Sequence, residues 1–264
     1  MSRQIRGSSA ILTINRPERR NALTPEVLDS LRRSLTELNE DSGIRSVVLT
    51  GSGGTFSAGA DLRGDKLGAE AILRDHYEPL VRTIVGLSLP IVAAVEGFAV
   101  GAGLALTTAC DLRVASRDAY FYLPFAGLGL SPDAGSTWLL PRLIGAGRAA
   151  EMALLGSKID APTAHSWGLV NAITEKGASL PYACELAESL AEQSSSVGAI
   201  KAALHRSWTS TLDDQLEYER ALQPALQTLP DYKEAISAFQ ERRNPLFGPR
   251  SLPLPTVRTG GDGR

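Results

Sequence analysis

Two short runs of small residues, Ala58-Gly59-Ala60-Asp61 and Val100-Gly101-Ala102-Gly103, are where this chain is best built to do chemistry. Each follows an apolar run that reads as a β-strand, Ser46–Thr50 before the first and Pro90–Val95 before the second. Small residues at such elbows let a backbone approach a ligand closely. Two converging backbone N–H groups can then hold a carbonyl oxygen while it gains negative charge, the requirement of an oxyanion hole. Taken singly, each elbow reads first as an ordinary tight turn.

The elements that must position these elbows follow from local patterns. Ala10–Asn15 alternates and ends at Arg16-Pro17, as a strand does. Thr24-Pro25-Glu26 is a helix start, with Thr24 as cap and Pro25 in the first turn. Val27, Leu28, Leu31, Leu35 and Leu38 then form one apolar face. A helix is expected over Ala69–Gly86 and another over Gly103–Ala109, with short strands at Asp111–Ala115 and Tyr120–Tyr122. Alternating strands and helices in the first half predict an α/β core with parallel strands. From Gly135 the pattern is mostly helical, with helices at 136–143, 148–155, 161–167, 182–193, 197–208, 212–228 and 232–243 and one last strand at Asn171–Thr174. The apolar stripe Leu212, Leu216, Leu222 and Leu226 needs a partner, either the core or another subunit. Beyond Pro249 the Pro/Gly-rich, charged sequence reads as disordered.

Composition narrows the function classes. The chain has 264 residues, 43% apolar and 21% charged, with a formal net charge of -2. That balance gives no electrostatic footprint for nucleic acid or an anionic membrane. The 2 cysteines, Cys110 and Cys184, read as buried thiols of a reduced compartment. His76, His165 and His205 have no metal-ligand spacing, and His76 has no evident partner. Without a signal-peptide core or an unbroken apolar span, a cytoplasmic protein is the default.

Taken together and in order, several stretches resemble the crotonase, or enoyl-CoA hydratase/isomerase, superfamily. They are Leu12-Thr-Ile-Asn-Arg-Pro17 with Asn21-Ala-Leu23, Phe56-Ser-Ala-Gly-Ala-Asp-Leu62, and Ala93-Ala-Val-Glu-Gly97 leading to Gly101-Ala-Gly103. Cys110-Asp-Leu-Arg113, Leu128-Gly-Leu-Ser-Pro-Asp-Ala-Gly-Ser-Thr-Trp138 with Leu140-Pro-Arg142, Ala164–Val170 and Ala238-Phe-Gln-Glu-Arg-Arg243 complete the set. The resemblance implies an α/β spiral of strand–strand–helix turns over 1–195. It implies a helical region over 196–248 that builds homotrimers or homohexamers, followed by a tail over 249–264. It also implies an acyl-CoA thioester ligand, with coenzyme A as part of the substrate and no separate cofactor or metal.

By position in that family, the amides of Ala60 and Ala102 form the oxyanion hole, Ala102 standing where glycine is commoner. Ala58, Asp61 and Leu62 border the CoA channel, with the Asp61 side chain expected to cap a helix after the elbow. Arg19 and Arg20 lie near the CoA phosphates, where arginine is an apt partner, although a solvated charge cluster with Glu18 explains them equally well. Phe239 and Arg242 reach the adenosine end from a neighbouring subunit, helix packing being the alternative for Phe239. Tyr77 borders the acyl site, although an amphipathic helical position explains it equally well, and Phe125 and Leu104 form its apolar wall.

Hydratases of the family use two glutamates. Here the matching positions are Ala105 and Phe125, which move no protons. Asp133 instead falls where several isomerases of the superfamily carry a catalytic aspartate, its other reading being a helix cap. The run Leu128–Arg142 is closest in pattern to the epoxyphenylacetyl-CoA isomerase subgroup of phenylacetate degradation, as is His76–Arg82. The expected activity is therefore isomerisation of an unsaturated or ring-containing acyl-CoA through a thioester enolate, with Asp133 as acid and base. The alternatives are a hydratase using non-standard groups, a silent acyl-CoA-binding homologue, and, less favoured, an aspartate nucleophile. Asp65, Glu70, Asp75 and Glu78 stand as candidates for a second acid or base, or as the wet face of a helix.

Overall fold

The computed structural model describes residues 1–63 and 68–251. The chain runs β1 (Ser2–Arg6), β2 (Ser9–Ile14), α1 (Pro25–Glu40), β3 (Ser46–Gly51), α2 (Ala69–Ile72), α3 (Glu78–Gly86), β4 (Ile91–Val95), β5 (Phe98–Val100), α4 (Ala102–Ala109), β6 (Leu112–Ser116) and β7 (Tyr120–Tyr122). It continues through α5 (Ser136–Ile144), α6 (Ala146–Leu155), β8 (Ile159–Asp160), α7 (Ala161–Ser166), β9 (Ala172–Thr174), α8 (Ser179–Ala191), α9 (Ser196–Ser207), α10 (Leu212–Gln227) and α11 (Pro230–Glu241).

A six-stranded sheet, ordered β1-β2-β3-β4-β6-β9, forms the frame. Only the β1–β2 pair is antiparallel; the remaining four pairings are parallel. Both faces are covered, so the central strands are almost wholly apolar. Their period of two sorts the side chains: Val47, Leu49, Ile91 and Ala93 enter the main core, while Val48, Val92, Ala94 and Val114 turn to the opposite face against Ala183, Cys184 and Ala187 of α8. A smaller sheet, β5-β7-β8, stands beside it. Helix α1 forms as its sequence predicts: Pro25 opens it, Thr24 accepts the Val27 N–H at 3.4 Å, and Val27, Leu28, Leu31, Leu35 and Leu38 are buried.

Buried cations fasten the C-terminal helices to this frame. Lys201 of α9 donates to Asp111 at 2.8 Å and to the Ile84 and Leu89 carbonyls at 2.9 and 3.1 Å. Arg113 donates to the Leu169 and Cys110 carbonyls, both at 2.6 Å. Both thiols are free and buried as expected, and burial, with Asp111 nearby, pushes the Cys110 thiol up to about 12.

Several expectations need correction. Strand β1 was not foreseen, because all five of its residues are exposed and carry no alternation. The 69–86 helix is not uniform: α2 passes through a π-helical turn, Leu73–Tyr77, into α3. The expected disorder does not begin at 249, since the Arg250 guanidinium is buried and donates to the Asn39 and Asp41 carbonyls and to Ser88 Oγ. Residues 252–264, and Asp65 within 64–67, lie outside the described residues. Of the stripe on α10 only Leu222 is buried, while Leu212 and Leu216 are exposed. Among the described residues no helix is long and apolar enough to cross a membrane.

Candidate active site

The first elbow is fixed by Asn21, which is buried and adopts a left-handed conformation, φ 56°, one that Asn tolerates well. Its Nδ2 donates to the carbonyls of Ser52 and Thr55, each at 2.8 Å. Ser57 Oγ donates to the Asn21 carbonyl at 2.8 Å and accepts the Gly59 N–H at 3.1 Å. Leu23 N donates to the Gly59 carbonyl and Asp61 N to that of Leu23. The Ala60 N–H, between them, has no acceptor among the described residues.

The second elbow turns β5 into α4. Gly101, φ 54°, donates to the Tyr122 carbonyl, and its own carbonyl accepts from Ala105. Ala102 is the first residue of α4, so its amide is one of the orphaned N–H groups at the positive end of a helix. Among the described residues it too has no acceptor. The two elbows touch through a parallel bridge, Ser57 with Ala99, and through Gly59. A methyl on Gly59 would lie 2.7 Å from the Val100 carbonyl oxygen and 3.4 Å from the Ala102 nitrogen. Only glycine permits that approach.

Both elbows open onto one cavity of about 320 Å³, bordered by Ala58, Gly59, Ala60, Gly101, Ala102, Phe125, Tyr77, Leu62 and Asp133 among others. Asp133 stands on the loop before α5, followed by Ala134 at φ 48° and Gly135 at φ 79°. A left-handed alanine costs about 1–2 kcal/mol, and strain of that kind gathers at functional loops. The Asp133 side chain caps nothing: α5 begins at Ser136, its cap residue is Gly135, and no side chain bonds the cap. Oδ1 of Asp133 is buried without a hydrogen-bond partner among the described residues. Burial pushes this carboxyl above the usual carboxylate range, its own backbone N–H pulling more weakly the other way.

Asp61, the other carboxylate bordering the cavity among the described residues, is held differently. It begins no helix, correcting the expected cap. It accepts the Arg63 N–H at 3.2 Å and pairs with Arg16 at 3.0 Å. Burial raises its pKa, but these bonds outweigh it and the net shift is downward. Leu104 does not reach the cavity; it is fully buried in the core on α4. Arg19 and Arg20 are exposed beside the first elbow, where the Arg20 carbonyl accepts the Ala58 N–H. Phe239 and Arg242 are exposed on and after α11 and border no part of the cavity within this chain.

Sequence reasoning missed the Arg16–Asp61 pair and the aliphatic lining from Leu23, Ile72, Leu73 and Leu130. It also missed the partner of His76, whose Nδ1 lies 3.1 Å from Asp29 Oδ1 on α1. Asp29 follows the apolar pair Val27-Leu28 with nothing in the sequence to separate it from any other polar helix residue. Asn21 within Asn21-Ala-Leu23 was the available signal for the brace of the first elbow.

The enoyl-CoA hydratase/isomerase family model matches residues 4–250. This chain belongs to that family. It is 40% identical over 244 residues to the 1,2-epoxyphenylacetyl-CoA isomerase of Escherichia coli, covering 89% of this chain and 93% of that protein. It is 38% identical over 239 residues to the 2,3-dehydroadipyl-CoA hydratase of the same organism, covering 90% and 94%. The enoyl-CoA hydratase of Mycobacterium tuberculosis superposes with a TM-score of 0.86 at 35% identity, over 94% of this chain and 98% of that one. The crotonase fold, with its helical C-terminal region, is thereby shown, and an acyl-CoA substrate accords with the family. Both isomerases and hydratases stand among its relatives.

Proposed function

We propose that this crotonase isomerises an unsaturated or ring-bearing acyl-CoA through a thioester enolate. The observation that carries the reading is one cavity bordered by two amides, Ala60 and Ala102, that have no acceptor among the described residues, and by the half-buried Asp133, whose Oδ1 is buried with no partner among them. Asp133 takes a proton from the carbon activated by the thioester. The electron pair of the broken C–H bond moves onto the thioester oxygen, where the two amides receive the charge; one such donor is worth about 2.7–4 kcal/mol. Asp133 then returns the proton at the far end of the allylic system and the carbonyl re-forms. A raised pKa suits a group that must both take and give a proton. Asp61 does not compete for this role, because Arg16 and the Arg63 N–H stabilise its charge. The reaction needs no cofactor beyond the coenzyme A of the substrate. Arg19 and Arg20 lie outside the cavity, where phosphates can meet them, and Phe239 and Arg242 act from a neighbouring subunit.

The hydratase-named relatives keep hydration as the second reading. Against it, the described residues give the cavity only Asp61 and Asp133 as carboxylates, with Phe125 on its wall and Ala105 buried in the core. A β,γ-unsaturated acyl-CoA incubated in D2O distinguishes the two. Isomerisation yields a product of unchanged composition apart from deuterium; a mass gain of one water identifies a hydratase. Asp133→Asn is expected to lose most turnover while still binding acyl-CoA, and unchanged turnover in that variant removes Asp133 from the mechanism.

A further inference from the structure

Arg16 grips both the first elbow and its brace. Its backbone N–H donates to Asn21 Oδ1 at 3.0 Å. Its guanidinium forks, Nη1 donating to the Ala22 carbonyl at 2.7 Å and Nη2 to Asp61 Oδ2 at 3.0 Å. Ala22 and Asp61 lie on the two chains that meet at the parallel bridge between Leu23 and Ala60. In that bridge Leu23 donates to the Gly59 carbonyl and accepts the Asp61 N–H. It thus takes the groups on either side of Ala60 and leaves the Ala60 N–H to the opposite side. The guanidinium ties together, from outside, the two chains that set the direction of this amide. Arg16 does not itself border the cavity, so it acts there through Asp61 and the backbone.

The arrangement contains an electrostatic conflict. Asp61 follows Ala60 directly and borders the same cavity. An ionised carboxylate there repels the negative charge that the Ala60 amide receives, and a cavity of low dielectric strengthens the repulsion. Asp61 is nevertheless held in its ionised form. Burial pushes its pKa up, but the Arg63 N–H, the Arg16 hydrogen bond and the charges of Arg16 and Arg19 outweigh burial. As a stabilising element the pair counts for little, because both side chains keep contact with water, 26% exposed for Arg16 and 15% for Asp61. Its effect is local. The carboxylate anchors the elbow to the guanidinium and to the Arg63 N–H, and the guanidinium cancels the carboxylate charge beside the oxyanion site.

We infer that Arg16 is a positioning residue for the oxyanion hole: it holds the peptide at Ala60 and neutralises Asp61, so that the enolate forms beside an ion pair and not beside a bare carboxylate. The inference rests on the enolate reading above. Lysine does not replace this arginine, because one ammonium lacks the planar fork that meets the Ala22 carbonyl and the Asp61 carboxylate together.

The test follows exchange of the α-protons of butanoyl-CoA with D2O by proton NMR, and affinity for the same thioester by calorimetry. The proteins are the wild type, Arg16→Gln and the double variant Arg16→Gln/Asp61→Asn. Arg16→Gln is expected to exchange at least tenfold more slowly while its affinity stays within threefold. Removing the stranded carboxylate in the double variant is expected to raise the rate at least threefold above that of Arg16→Gln. A purely structural brace is broken in both variants and gives no such recovery. Slowing by less than tenfold in Arg16→Gln, a loss of affinity that matches the loss of rate, or a double variant less than threefold faster than the single one overturns the inference. If thermal unfolding shows that Arg16→Gln does not fold, Arg16→Lys carries the test. It keeps the charge and loses one arm of the fork, so its exchange is expected to be three- to tenfold slower than wild type, and a rate outside that window overturns the inference. No exchange above buffer in the wild type overturns it together with the enolate reading, whereas wild-type exchange with unaffected variants overturns this inference alone.

Discussion

Replacing Gly103 with alanine adds one methyl group at a point where the structure has no room for it. Gly103 lies in α4, one residue beyond Ala102, and faces Ser57 of the first elbow. Its new Cβ would stand 2.8 Å from both Ser57 Cβ and the Ser57 carbonyl oxygen, and 3.0 Å from Ser57 Oγ. Carbon atoms rest at about 3.5–4.0 Å, so the two elbows must separate by about 0.7 Å or more. Ser57 cannot yield alone, because its Oγ is bonded to Asn21 and Gly59 and its carbonyl accepts the Val100 N–H. Separation of the elbows carries the Ala60 amide away from that of Ala102. A misplacement of about 1 Å can cost about 100-fold in rate, and overpacking costs about 1–3 kcal/mol of stability. Better helix propensity offsets up to about 1 kcal/mol of the latter. Steady-state kinetics should therefore show kcat down by one to two orders of magnitude at 25 °C in a protein that is still folded. Gly147→Ala, on α6 with nothing within 4 Å of the added methyl, is the control and should be neutral or stabilising. Full turnover in Gly103→Ala would refute the view that the spacing of the elbows sets the rate.

Two further outcomes follow from buried charge. In the folded protein the Asp133 carboxyl is raised, so folding favours its protonated form. This group subtracts stability as pH rises from the unfolded carboxylate value through the folded one, and the penalty is complete above it. Asp133→Asn should unfold at a higher temperature than wild type at neutral pH, with the difference shrinking as pH falls toward 4; a variant less stable at pH 7 contradicts the assignment. Lys201→Ala should lower stability by about 3–5 kcal/mol in denaturant titration, because it leaves Asp111 buried without its cation. Adding Asp111→Asn to that variant should restore part of the loss.

Much of the fold was legible because local signals and burial agree. The helix cap at Thr24, the α1 face and the strands leading into both elbows all follow from patterns within a few residues. The first elbow's brace was less visible, since Asn21 acts on Ser52 and Thr55 about thirty residues away. Leu104 misled because helical position alone does not say which side of α4 meets the cavity; the packing of α4 buries that side entirely. The π-helical turn was hidden too, as Leu73–Tyr77 has an ordinary helical composition while its extra residue per turn changes the face shown to the cavity.

Enolate formation itself is open to direct observation. A saturated acyl-CoA cannot isomerise, yet its α-protons should exchange with D2O on the enzyme, as followed by proton NMR. The wild type is expected to wash deuterium into the α-carbon. Asp133→Asn is expected to bind the same thioester with unchanged affinity and exchange it no faster than buffer. Exchange at the wild-type rate in that variant contradicts the account.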